Sequence, residues 1–318
     1  MRAAAVALAL LVALALAASA AAEPTVYFTR SGPVPGSSQI WSVPAAGGKA
    51  HLVRRRMPNG PQGGIVALSR DGRRIFCVCR QDEVGSIQTD GSRLRRVGTL
   101  PRAVRYDNVT LGPDGRAYWV KGFTKVFSLA PGAKKPQVFR AVKSTDAVVD
   151  ERIVPSPDGR RIAYVTYGCL VPNCADDDIE TIFTARIDNT DRTVVYFSTG
   201  EGKEIQEVAW SADGSRLIFA DGTGEGDPKG ELPVFFPTQY LVAPADGSNP
   251  AGTAVTLPEE GFNPFFSPQG DRLAFTFWTR PNFALGTAPV AGGENAPLTR
   301  TSCRYPACEF PPRAFAWR

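Results

Sequence analysis

The chain has 318 residues, 43% of them hydrophobic, with 31 Gly, 27 Pro, 6 Cys and a single His. That composition excludes wholesale disorder, and its Gly and Pro favour many short elements joined by turns over a few long helices. The net charge of +5 gives no reason to expect a nucleic-acid partner, and a Ser-His-Asp triad or a His-rich metal site would have to run through His51 alone.

After Arg2, residues 3–18 are uninterrupted Ala, Val and Leu, and small residues follow through Ala22. This is the pattern of an export signal, and the apolar run is shorter than the ~20 residues of a membrane span. Residues 1–22 are expected to be a signal peptide cleaved near Ala20–Ala22. Residues 23–318 then form one exported domain with no membrane span, placed in the periplasm, at the cell envelope or outside the cell. Export permits disulfides. Cys169 and Cys174 enclose LVPN, and Cys303 and Cys308 enclose RYPA, so two local bonds, 169–174 and 303–308, are expected. Cys77 and Cys79 alternate on a strand and share one face. A bond between them is open, with buried free thiols preferred. A zinc site is not expected, because paired C-x2-C spacing and His support are both missing.

The rest of the chain repeats itself. ALSRDGRRIFCV begins at Ala67, TLGPDGRAYWV at Thr110, VPSPDGRRIAYV at Val154, AWSADGSRLIFA at Ala209 and FFSPQGDRLAFT at Phe265. The equivalent positions Ser69, Gly112, Ser156, Ser211 and Ser267 recur every ~45–55 residues, the length of a four-stranded propeller blade. Each copy reads as strand, tight turn, strand. Ser and Asp side chains accept backbone N–H bonds inside a turn, and Gly supplies the positive φ that closes it. Asp71, Asp114, Asp158 and Asp213 are therefore turn carboxylates rather than catalysts, with Gln269 at the fifth equivalent position. Two weaker strand signals follow, such as QIWSVPAAGG (39–48) and TIFTARID (181–188), then HLVRR and TVVYFS. The C-terminal RAFAWR (313–318) matches the start of a repeat, and TVYFTR (25–30) matches a second strand. The expectation is an all-β, six-bladed propeller of four-stranded blades, its ring closed where the C-terminal strand joins the N-terminal ones.

WSADGSRLIF (210–219), PSPDGRRIAY (155–164), FSPQGDRLAF (266–275) and IWSVPA (40–45) resemble the TolB-like, WD-like propeller repeats of bacterial exported proteins. The resemblance spans essentially the whole chain after residue 22. It implies a six-bladed fold at the cell envelope and is weak for activity. Two departures matter. Blade strands begin almost directly after the signal segment, without the extra α/β domain of TolB. No G-x-S-x-G elbow of an oligopeptidase occurs.

With strands A to D counted outward from the axis, the B–C and D–A connections share one face of the disc. The long insertions 168–178, 221–238 and 301–312 all fall there, as functional loops on a rigid scaffold do. Phe235, Phe236, Tyr305 and Phe310 on these loops could form a sugar- or peptide-binding surface or plug the disc; both readings stay open. Asp176, Asp177 and Asp178, near Glu180, lack EF-hand spacing, so a solvated acidic loop is expected, with Ca²⁺ as the alternative. Counting four residues back from each aligned Ser position reaches Ile65, Asn108, Arg152, Glu207, Asn263 and Ala314. Asn108, Arg152, Glu207 and Asn263 thus sit at one level of the channel mouth. They either bind a polar ligand or divalent ion, or close the channel by hydrogen bonds and an Arg152–Glu207 pair. His51 opens an outer strand and reads as a surface residue.

Two functions compete. The first is a monomeric, non-enzymatic binding module that holds an envelope protein, peptide or glycan on its loop-bearing face, with no catalytic residue, metal or cofactor assigned. The second is a propeller enzyme, a lactonase-like hydrolase or a lyase, using a divalent ion such as Ca²⁺ at the mouth.

Overall fold

The computed structural model describes residues 24–31, 37–58, 66–80, 82–101, 109–122, 124–140, 147–168, 179–188, 190–198, 203–223, 225–226, 235–236, 239–257, 261–279, 282–304 and 313–318. The expected signal segment, Asn108, Tyr305, Phe310, Cys169, Cys174 and Cys308 lie outside them. Among the described residues every element is a strand, and no helix is long and apolar enough to cross a membrane.

Six four-stranded antiparallel sheets follow one another along the chain. Blade 1 holds Val66–Leu68, Arg74–Arg80, Glu83–Gln88 and Arg95–Thr99. Blade 2 holds Val109–Leu111, Ala117–Lys121, Lys125–Leu129 and Gln137–Arg140. Blade 3 holds Ala147–Pro155, Arg161–Gly168, Glu180–Arg186 and Thr193–Phe197. Blade 4 holds Lys203–Trp210, Arg216–Thr223, Gln239–Pro244 and Thr253–Val255. Blade 5 holds Gly261–Phe266, Arg272–Thr279, Asn282–Pro289 and Ala296–Arg304. Blade 6 takes Arg313–Trp317 as its inner strand, followed by Thr25–Ser31, Ser37–Pro44 and His51–Pro58. The ring closes as the repeats require: Val26 faces Trp317, and Thr25 and Arg318 exchange backbone bonds of 2.7 and 2.9 Å.

The apolar alternation of these strands buries residues between blades. Six hydrophobic clusters form, each shared by two neighbouring blades. The cluster between blades 3 and 4 packs Val165 and Ile182 against Trp210 and Phe219, all buried. A single blade has no core of its own, so stability is a property of blade pairs. Cys77 is buried in the cluster between blades 6 and 1 and is disulfide-bonded, which corrects the expected free thiol.

The repeated turn works as its letters require. Ser211 Oγ donates to Asp213 at 2.6 Å and accepts from the Arg216 N–H at 2.9 Å, while Asp213 accepts from the Ser215 N–H at 3.0 Å. Ser69 and Ser156 repeat this with Asp71 and Asp158. Gly72, Gly115, Gly159, Gly214 and Gly270 all have positive φ, from 62° to 79°. In the fifth copy Gln269 leaves the carboxylate position empty of charge, and Ser267 Oγ turns instead to Asp271 at 2.8 Å.

The bonds from Ser211 and Ser215 hold Asp213 at about 2, below its ordinary 3.8. A lowered folded pKa contributes stability that is present above 3.8 and lost as the pH falls through about 2. Asp213→Asn is therefore expected to flatten the acid limb of the stability curve in that window. The side chain is exposed, so the effect is at most ~1 kcal/mol; acid titration of both chains by circular dichroism measures it.

Candidate functional site at the channel mouth

The two faces of the disc are built differently. Strands A and B, and strands C and D, are joined on one face by short turns. The opposite face takes the connections 169–179, 224–238 and 305–312, because strands B and D end there. The insertion in blade 4 contains a small hairpin of its own, Glu225–Gly226 paired with Phe235–Phe236, which periodicity did not suggest. Phe235 and Phe236 thus lie on one backbone ladder; their side chains, and those of Cys303 and Arg152, are outside the described residues.

The inner strands of blades 3, 4 and 5 slip register part-way along their length. Pairing jumps from Val149 to Ile153, from Gln206 to Ala209 and from Phe262 to Phe265. Arg152, Glu207 and Asn263 fall in these three bulges. A bulge re-aims a side chain and often marks a site. Glu207 and Asn263 adopt φ of 57° and 52°. Asn tolerates that left-handed region better than other non-Gly residues, whereas Glu is strained in it.

Glu207 Oε2 receives the Tyr240 hydroxyl from its own blade and, at 2.8 Å, the Asn263 N–H from blade 5. One carboxylate oxygen so ties two inner strands and a third strand together. Glu207 and Arg313 are enclosed by protein yet partly open to water, as expected for groups lining a wet channel. Enclosure pushes the Glu207 carboxyl above its usual range, against the hydrogen bonds from Tyr240 and Asn263 and the positive charge of Arg313. Desolvation, then the Glu207 charge, pushes the buried Tyr240 hydroxyl well up, so it stays protonated and donates. Arg313, on the inner strand of blade 6, is lowered by desolvation and raised by Glu207.

The structure thus brings Glu207 and Asn263 together through a backbone donor. It also adds two residues the sequence reading missed, Tyr240 and Arg313. Among the described side chains Arg313 contributes positive charge to Glu207; that of Arg152, which the sequence offers as its pair, lies outside them. Arg313 was detectable in principle, standing one position before Ala314 in the sixth copy. Tyr240 carried no signal, being one of many strand aromatics.

A second pair of acids lies under the long connections. Glu180 is buried, and its Oε2 accepts the Ile205 N–H of the next blade. Buried Asp221 Oδ2 accepts from the Tyr196 hydroxyl of blade 3 and, at 3.4 Å, from Gln239. Glu180, read from sequence as a neighbour of the acidic loop, points inward and staples blades 3 and 4. Among the described residues no three His, Cys, Asp or Glu side chains converge as a metal site would need. His51 is exposed at the start of its outer strand. Two shallow grooves, about 290 Å³ against Phe275 and Phe277 and about 450 Å³ against Arg96 and Lys134, are lined by residues of blade 5 and of blades 1 and 2.

No known family profile and no curated protein matches the chain. Solved structures do. TolB from Acinetobacter baumannii superposes with a TM-score of 0.55 at 14% identity, over 92% of this chain and 66% of that one. A protein assigned as TolB from Agrobacterium tumefaciens gives 0.54 at 15% identity, over 92% and 98%. An oligogalacturonate lyase in complex with manganese gives 0.50 at 14%, over 87% and 73%. The chain is a TolB-like six-bladed β-propeller in fold. At these identities the likeness extends to architecture and no further.

Proposed function

We propose that the protein is an exported, non-enzymatic binding module of the bacterial cell envelope, acting as a monomer. It takes a protein, peptide or glycan on the face carrying the connections 168–178, 221–238 and 301–312. The observation that carries this reading is the contrast between the faces: one is sealed by hydrogen-bonded turns, and the other takes the long connections, including an extra hairpin. Phe235, Phe236, Tyr305 and Phe310 supply apolar contact area in this reading. Asn108, Arg152 and Asn263 give the mouth its polar character.

The test compares the intact chain with one lacking residues 227–234, both immobilised and exposed to envelope extract. The expected result is a discrete species retained by the intact chain and lost from the shortened one at unchanged melting temperature. Equal retention by both would take the hairpin out of the site.

The fold shared with the manganese-bound lyase favours a second reading, an enzyme with a divalent ion at the mouth. Against it, Glu207 Oε2 already accepts two hydrogen bonds from its own chain. A rise in melting temperature on adding Mn²⁺ or Ca²⁺, abolished by Asn263→Ala, would favour the enzyme.

A further inference from the structure

The net charge of +5 hides a division of the disc. Residues 24–140, which build blades 1 and 2 and three strands of blade 6, hold 20 Lys and Arg against 6 Asp and Glu. Residues 141–318 hold 15 against 24. Part of this excess lies at the outer rim on the face of short turns, while Arg30, Arg80, Lys121, Lys125 and Arg140 stand at the loop-bearing ends of their strands. On that rim Lys49, Arg93, Arg95, Lys134 and Lys135 are all exposed.

Packing makes this rim continuous. The C–D turn of blade 1 lies with Gly91 against the Val53 carbonyl of blade 6, and that of blade 2 donates its Gly132 N–H to the Val97 carbonyl of blade 1 at 2.9 Å. Opposing charge is sparse along it. Asp90 is turned onto its own Ser92 N–H at 2.8 Å, and Asp71 of the A–B turn accepts from the Ser69 hydroxyl and the Arg73 N–H. The fold does not demand this pattern. The same turns of blades 3, 4 and 5 carry exposed Asp188, Asp191, Asp246 and Glu294. Arg192 of these turns lies over the Phe183 ring at 3.7 Å, and exposed Arg186 stands where the blade 3 turn begins.

Apolar side chains stand among the cations. Leu52, Leu94 and Val138 are exposed, one on each of blades 6, 1 and 2, each at the turn-face end of its outer strand. Val194 continues the apolar series on blade 3, where the acids begin. Cations interleaved with exposed aliphatics fit the interface of an anionic bilayer, where phosphates face the Lys and Arg heads and the aliphatics enter the acyl boundary. Bases and sugar rings are held by exposed aromatic platforms, and the exposed apolar side chains on blades 6, 1 and 2 are aliphatic.

We propose that the turn-face rim of blades 6, 1 and 2 docks the protein on an anionic phospholipid surface. The disc is then oriented with its acidic half away from the lipid and its loop-bearing face free for the partner. This inference does not depend on the proposed binding face.

Co-sedimentation of the full chain with phosphatidylcholine vesicles, with and without phosphatidylglycerol, tests it. Binding is expected only with phosphatidylglycerol, and is expected to be lost between ~0.05 M and ~0.5 M salt. Each rim cation is worth about fivefold in affinity, so Arg93→Glu/Arg95→Glu/Lys134→Glu/Lys135→Glu should bind at least ~100-fold more weakly. All four side chains are exposed, and an unchanged melting curve would confirm that the fold is kept. Leu94→Ser/Val138→Ser should weaken vesicle binding and leave any retention on soluble polygalacturonate or single-stranded DNA unchanged. Equal binding to both vesicle types, undiminished binding by the charge-reversed chain, or binding to the soluble polyanions in preference to vesicles would overturn the proposal.

Discussion

Replacing Gly91 or Gly247 by Ala is expected to destabilise the propeller by about 2–4 kcal/mol, whereas Gly132→Ala costs about 1 kcal/mol. All three glycines sit in C–D turns with φ of 84°, 72° and 75°, so each pays a similar left-handed penalty once a Cβ is added. What separates them is the neighbouring blade. A Cβ on Gly91 would overlap the Val53 carbonyl oxygen of blade 6, and one on Gly247 would overlap the Val194 carbonyl oxygen of blade 3. A Cβ on Gly132 meets nothing within 4 Å. The overlapped atoms are backbone, so relief requires one blade to move from another and opens the hydrophobic cluster between them. Urea melts of the three variants measure the ordering. Equal losses at all three positions would show that backbone conformation alone, and not blade contact, sets the cost.

These glycines show where sequence reading stops. The A–B turn announces itself because every determinant lies within six residues: the Ser hydroxyl, the Asp acceptor and the Gly with positive φ. Even the fifth copy, where Asp271 replaces the role of the missing carboxylate, keeps the frame of the turn. From that frame the strand alternation, the blade number and the closing of the ring all follow, and each appears in the structure. The C–D glycines have letters just as simple, in TDGS and ADGS, yet their cost is set by a carbonyl group on another blade, which no local pattern reveals.

The mouth lies between these cases. Counting back from the repeated Ser gives the level of Glu207 and Asn263, because repeat position fixes height along the channel. It does not give the bulge that turns Glu207 inward, nor Tyr240, whose hydroxyl comes from a different strand of the blade. Glu180 misleads for the same reason. Its proximity to three aspartates in sequence suggests a solvated loop, while the strand it begins carries it into the interface with blade 4.

Removing the Glu207 side chain is the other change with a large expected effect. Glu207→Ala leaves the buried Tyr240 hydroxyl and the Asn263 N–H without their acceptor and takes away the negative charge facing Arg313. Orphaned buried donors cost ~1–3 kcal/mol each, and the partly wet channel lowers the penalty on Arg313, so a loss of about 3 kcal/mol is expected. Glu207→Gln keeps an acceptor and should lose less. The pair of variants also carries a pH signature. Enclosure raises the folded pKa of Glu207 above its ordinary 4.5. The stability of the neutral form is fully present below 4.5 and is lost as the pH rises through the raised value. Gln does not titrate. The stability of the native chain relative to Glu207→Gln should therefore fall with increasing pH above 4.5, then level off once Glu207 is ionised. Urea denaturation of both chains across this range gives the difference directly. A difference that rises with pH would mean that Arg313 and the two hydrogen bonds outweigh enclosure, and that the mouth is built to hold a carboxylate anion.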